Sequence, residues 1–145
     1  MRLFAVSAAI ALCITAAACS HGPMPTGRWE GTYQSADTLI AARLEIDPKG
    51  SISVSAPDAM NTAGAERAVL KANLARDLAA SWGRVQPRKM DFDGKVFRNP
   101  GGMAPQIEWD PDSHAMQLVI YLGTRPGIRV PLRAVKDFSA DPWNP

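Results

Sequence analysis

From residue 28 onward, apolar side chains return at every second position in one short segment after another. That period constrains the fold more than any other feature. In Arg28–Gln34, Trp29, Gly31 and Tyr33 share one face, and Arg28, Glu30, Thr32 and Gln34 share the other. Successive side chains of a strand point to opposite faces, so a period of two marks a half-buried strand. Leu39–Ile46 repeats the pattern through Ile40, Ala42, Leu44 and Ile46, and Ser51–Ser55 repeats it through Ile52 and Val54. Asp47-Pro48-Lys49-Gly50 lies between them. Proline presets φ there and glycine accepts positive φ, so the two segments form a predicted hairpin.

The second half continues in the same way. Lys89–Arg98 is centred on Asp93-Gly94, a dipeptide suited to a hairpin turn. Gln106–Asp110 carries Ile107 and Trp109, and Asp110-Pro111-Asp112-Ser113 reads as a turn. Ala115–Leu122 is the most apolar run and is expected to be a central strand covered on both faces. Ile128–Arg133 turns Ile128, Val130 and Leu132 inward. Pro131 lacks an amide donor, which predicts an edge strand. One stretch breaks the period: Leu70, Leu74, Leu78 and Trp82 recur every four residues, the stripe of an amphipathic helix. Asn61 or Thr62 is the predicted cap and Gly83 the predicted stop. The order implies an α+β domain, a curved antiparallel sheet of about seven strands with one packed helix. The helix is expected on one face of the sheet or across the mouth of a partial barrel.

The N-terminus has a different character. Arg2 precedes the apolar run Leu3–Ile14, and Ala16-Ala17-Ala18 follows, the layout of an export signal. A membrane span needs about 20 apolar residues, and Leu3–Ala18 falls short. Ala16-Ala17-Ala18-Cys19 resembles the lipobox of bacterial lipoproteins. Ala16 departs from that pattern, where leucine is usual. The resemblance implies cleavage between Ala18 and Cys19, a lipid on the Cys19 thiol and acylation of the new amino group. Several acyl chains on one residue hold a protein to a bilayer firmly. Ser20 resembles the default that leads to the outer membrane, facing the periplasm. Ordinary cleavage after Ala18, leaving a soluble periplasmic protein with Cys19 unmodified, is the second reading. The chain then divides into a signal (1–18), a lipidated cysteine with its tether (19–27), a single β-rich domain (28–136) and a C-terminal tail (137–145) containing Trp143.

Removing residues 1–18 from the 145-residue chain leaves one domain of ordinary size and near-neutral charge, so no nucleic-acid partner is expected. Cys19 is the one cysteine left, so a packed core must replace disulfides. His21 and His114 stand far apart in the chain and form no zinc set. Asp110-x-Asp112-x-His114 lacks the glycine and distal glutamate of a calcium loop. There is no Gly-x-Ser-x-Gly, and Asp91 and Asp93 flank a turn. The expectation is a non-enzyme without metal or cofactor.

The basic residues are the remaining signal. Arg84, Arg88 and Lys89 precede one strand, and Arg125, Arg129 and Arg133 decorate another. If those strands pair, they make a cationic patch for an anionic lipid or an acidic envelope protein. Gly27-x-Trp29-x-Gly31 opening the first strand resembles the start of lipocalin-like barrels, which implies a carrier of a small apolar ligand. Two functions are therefore expected. One is a lipid-anchored binding or structural module using Arg125, Arg129 and Arg133. The other is a carrier whose cavity is lined by residues such as Trp29, Tyr33 and Phe92.

Overall fold

The computed structural model describes residues 22–102, 105–122 and 127–145. Ala18, Cys19 and Arg125 lie outside the described residues. The elements run β1 (Gly27–Gln34), β2 (Thr38–Ile46), β3 (Ser51–Ser55), β4 (Asp58–Met60), α1 (Arg67–Trp82), β5 (Arg88–Lys89), β6 (Asp91–Phe92), β7 (Val96–Arg98), β8 (Gln106–Asp110), β9 (Ala115–Ile120) and β10 (Ile128–Val135). Among the described residues the sheet order is β5-β3-β2-β1-β10-β9-β8-β7-β6, with β4 paired to β2 beside it.

The two ends of that order, β5 and β6, are separated in sequence by Met90 alone. The segment from Arg88 to Phe92 thus pairs with β3 through its first residues and with β7 through its last. The sheet curls round until the chain itself joins its edges, giving a nearly closed antiparallel barrel. Closure removes the exposed edges that an open sheet presents. The pairs β1–β2, β2–β3, β6–β7, β7–β8, β8–β9 and β9–β10 follow one another in sequence and lie side by side in the sheet.

The alternation read from sequence decides which side chains fill the barrel. Ile40, Leu44, Ile46, Ile52, Phe97, Ile107, Met116, Leu118 and Val130 form the interior and are nearly or wholly inaccessible. Trp29 and Trp109 meet edge-on there, with ring centroids 5.7 Å apart. A second, smaller cluster lies outside the barrel, where Leu74 and Leu78 of α1 cover Leu39 and Ala41 on the outer face of β2. The stripe therefore packs the helix on a sheet face and not across the mouth.

Three expectations are corrected. Pro131 does not mark an edge, because β10 lies between β1 and β9. Its carbonyl points at Gly31 of β1, where an added Cβ would meet the Pro131 oxygen at 1.9 Å. A strand residue turns its nitrogen and oxygen to the same neighbour. The missing amide thus faces β1, where the recorded pairing stops at Glu30↔Arg133. A proline and a glycine together make the barrel corner. The run from Ala115 is central, between β10 and β8, and buries Val119 on its outer face, but the strand enclosed on both faces along its length is β2, whose outer side α1 covers. The helix begins at Arg67, after Asn61 and Gly64 adopt positive φ of 57° and 76°. Thr62 is buried in that turn and accepts a hydrogen bond from Arg67 at 3.0 Å.

Residues 137–145 lie folded back over α1. Trp143 donates its indole N–H to the Lys71 carbonyl at 3.1 Å and packs on the Leu74–Leu78 cluster. Phe138 meets Trp82 edge-on at 4.7 Å and lies under the Arg43 guanidinium at 4.9 Å.

Candidate functional site: a cavity at one end of the barrel

The antiparallel order sorts the connections to two ends. The turns 47–50, 93–95 and 111–114 lie at the end where Gly27 enters. The connection 35–37 and the segments that follow β4 and β7 lie at the other, with the link from α1 into β5, whereas residues 56–57 join β3 to β4 partway along β2. The Gly27 end is plugged. Met24 packs on the core and approaches Gly50, Pro25 is buried, and His114 closes edge-on over Trp109 at 5.7 Å.

Among the described residues the opposite end is open. A cavity of about 580 Å³ enters the barrel there. That size lies within the range of about 300–1,000 Å³ typical of small-ligand pockets. Ile52, Val54, Met90, Leu118 and Ile120 supply its apolar wall. Arg84, Gln86, Arg88 and Tyr121 ring its mouth, and Asn99 closes one side with its amide donated to the Pro105 carbonyl at 3.2 Å. Apolar walls with a few polar groups at the rim are the usual make-up of a site for a small molecule.

The residues expected to line a cavity do not line this one. Trp29, Tyr33 and Phe92 belong to the packed core, and Phe92 stacks on Phe97 at 4.2 Å. The space lies along β3 and β9 instead. No local signal in the sequence distinguishes an inward residue beside a void from one beside a neighbour.

The two basic segments do not pair, so Arg84, Arg88 and Lys89 do not join Arg129 and Arg133 in one patch. The segment carrying Arg88 and Lys89 pairs with β3, whereas Arg129 and Arg133 sit on β10, far round the barrel. Arg129 makes a forked contact with Glu108, two N–H donors meeting the two carboxylate oxygens at 3.0 Å each. That contact raises the guanidinium's pKa above its ordinary value. Arg133 donates to Glu30, which is 1% exposed and also accepts the Ser139 amide at 3.1 Å and hydroxyl at 2.7 Å. Both arginines are thus spent on carboxylates of the barrel's own outer face.

His114, in the turn, meets the Trp109 ring edge-on. Among the described residues no three His, Cys, Asp or Glu side chains gather as a metal set. Asp112 gives its backbone amide to Asp110 at 3.0 Å, and the Ser113 hydroxyl donates to the same carboxylate. These bonds hold the Asp110 carboxyl below the usual carboxylate range and make the segment a turn. Among the described residues no helix is long and apolar enough to cross a membrane. No protein family, curated protein or solved structure matches the chain.

Proposed function

We propose that the protein is a lipid-anchored envelope protein whose barrel binds a small, largely apolar molecule at its open end. The observation that carries this reading is the cavity of about 580 Å³ between β3 and β9, in a barrel otherwise filled to its plugged end. Interiors pack densely and leave few voids larger than a water. Among the described residues this space lies at one end of the barrel, and filling the core does not require it. The engagement of Arg129 with Glu108 and of Arg133 with Glu30 favours ligand binding over a cationic docking face.

The proposed anchor is a lipid on Cys19, and its geometry suits the cavity. Met24 is five steps along the chain from Cys19, a reach of at most about 18 Å. An anchor there holds the plugged end toward the outer membrane and turns the open end to the periplasm. Replacing Cys19 by serine is expected to abolish fatty-acid labelling and release the domain from membranes. Wild-type protein found soluble and unlabelled sinks the anchor and restores the unmodified periplasmic form.

The cavity is tested with the neutral dye N-phenyl-1-naphthylamine. Saturable binding of one dye per chain is expected, with a loss of at least about tenfold in Val54→Trp, whose ring fills the space. Circular dichroism checks that the variant keeps its sheet. Dye binding that V54W leaves unchanged, or no saturable binding, overturns the reading.

A further inference from the structure

Among the described residues, the cavity's charged groups all have one sign. Arg88 stands directly across from Ile52 in the β3–β5 pair. Opposed residues of paired strands project to the same face, and Ile52 is an interior residue, 2% exposed. Arg88 therefore projects from the face that elsewhere in this barrel carries Ile52, Phe97 and Leu118. Arg84 reaches the same mouth from the segment after α1. Among the described residues that line the cavity there is no aspartate or glutamate. Elsewhere on the barrel Arg28, Arg98, Arg129 and Arg133 each meet a carboxylate, and Arg43 donates to the Ser139 carbonyl. Among the described residues no ion pair includes Arg84 or Arg88.

We infer that Arg84 and Arg88 receive the anionic head of a single-chain amphiphile whose tail lies along Val54, Leu118 and Ile120. The inference rests on the reading of the cavity as a ligand site and adds the chemistry of the ligand's polar end. A guanidinium presents paired N–H donors that match the oxygens of a carboxylate or phosphate. Both arginines are exposed in the unliganded protein, so water solvates them until a ligand arrives. An apolar tail alone gives no reason for a cation on an interior face. A compact polar anion alone gives none for the aliphatic wall behind it. An alkyl chain ending in an oxyanion accounts for both.

The test compares hexadecanoate, hexadecyl phosphate and hexadecanol, each below its aggregation threshold, by equilibrium dialysis against the full-length chain. The two anions are expected to bind at least about tenfold more tightly than the alcohol. The double replacement R84Q/R88Q is expected to bring them to the alcohol's level and leave the alcohol unchanged. Added salt is expected to weaken the anions alone. Circular dichroism and the dye assay confirm that the double variant is folded and retains its cavity. Equal binding of all three ligands, unaffected by the replacement, overturns the head-group inference and leaves the cavity reading intact. Failure of all three ligands and of the dye overturns both. Arginine-dependent binding to phosphatidylglycerol vesicles without binding of either monomeric anion also overturns it, making the two arginines a membrane contact.

Discussion

Glu30 sits on the outer face of β1, yet it is 1% exposed because the returning chain covers it. Its carboxylate collects Arg133 and both the amide and hydroxyl of Ser139. Arg43 lies close by, 6% exposed, and donates to the Ser139 carbonyl at 2.7 Å. Burial lowers the Arg43 pKa below its ordinary value, and the charge of Glu30 opposes that shift. Removing one partner of a buried charge cluster leaves the other uncompensated. Glu30→Gln is expected to lower unfolding free energy by about 3 kcal/mol, measured by urea denaturation. Asp93 is the exposed counterpart. A hydrogen bond from Arg98, then those from the Lys95 and Val96 amides, hold its carboxyl well below the usual carboxylate range. A carboxyl with a folded pKa below its unfolded value of about 3.9 stabilises the fold above that pH. That contribution is lost as pH falls through the folded value. Asp93→Asn is therefore expected to melt below wild type at pH 7, with the gap closing below about pH 4. A gap that does not change with pH counts against this assignment.

Among the elements, β2 and the helix show how far local pattern reaches. The four-residue stripe placed Leu74 and Leu78 on the buried side of α1, and the structure agrees. Trp82, the last residue of the stripe, packs on Phe138 instead, a partner supplied by the far end of the chain. The same limit explains Pro131. Loss of an amide says only that one side of the strand is not bonded. Which strand lies on that side depends on the barrel. The corner where β1 meets β10 tolerates no side chain, since a Cβ on Gly31 meets backbone and not a flexible tip. Gly31→Ala is expected to cost about 1–3 kcal/mol, the range for forcing extra atoms into a filled site. Thermal unfolding followed at the tryptophans measures it. A neutral result places a gap between the strands at this corner.

For the whole molecule the decisive property is closure. Ten short strands, several of two or three residues, become one wall because the segment around Met90 belongs to both edges. A core packed from Trp29, Trp109, Phe97 and Met116 fills the Gly27 end and leaves the cavity at the other. A ligand that binds only the folded barrel must stabilise it by mass action. Hexadecanoate at a hundred times its Kd is expected to add about 2.7 kcal/mol and to raise the melting temperature of wild type. The same concentration is expected to shift R84Q/R88Q much less. Equal shifts in the two proteins, or a lowered melting point, count against ordered binding at the mouth.

The period of two in Arg28–Gln34, Leu39–Ile46 and Ser51–Ser55 and the period of four from Leu70 to Trp82 are properties of neighbouring residues. The sequence by itself therefore determined the antiparallel sheet, the inward faces and the helix that packs on it. Asp47–Gly50 and Asp93-Gly94 were legible for the same reason, since a turn's chemistry lies within four residues. What the tertiary structure decided depends on residues far apart in the chain. Cross-strand register brings Glu108 to Arg129 and Glu30 to Arg133, neutralising the cations that sequence alone left exposed. It also sets Arg88 opposite Ile52, on the inside. Side-chain charge is written locally, but whether that charge finds a partner is a matter of packing.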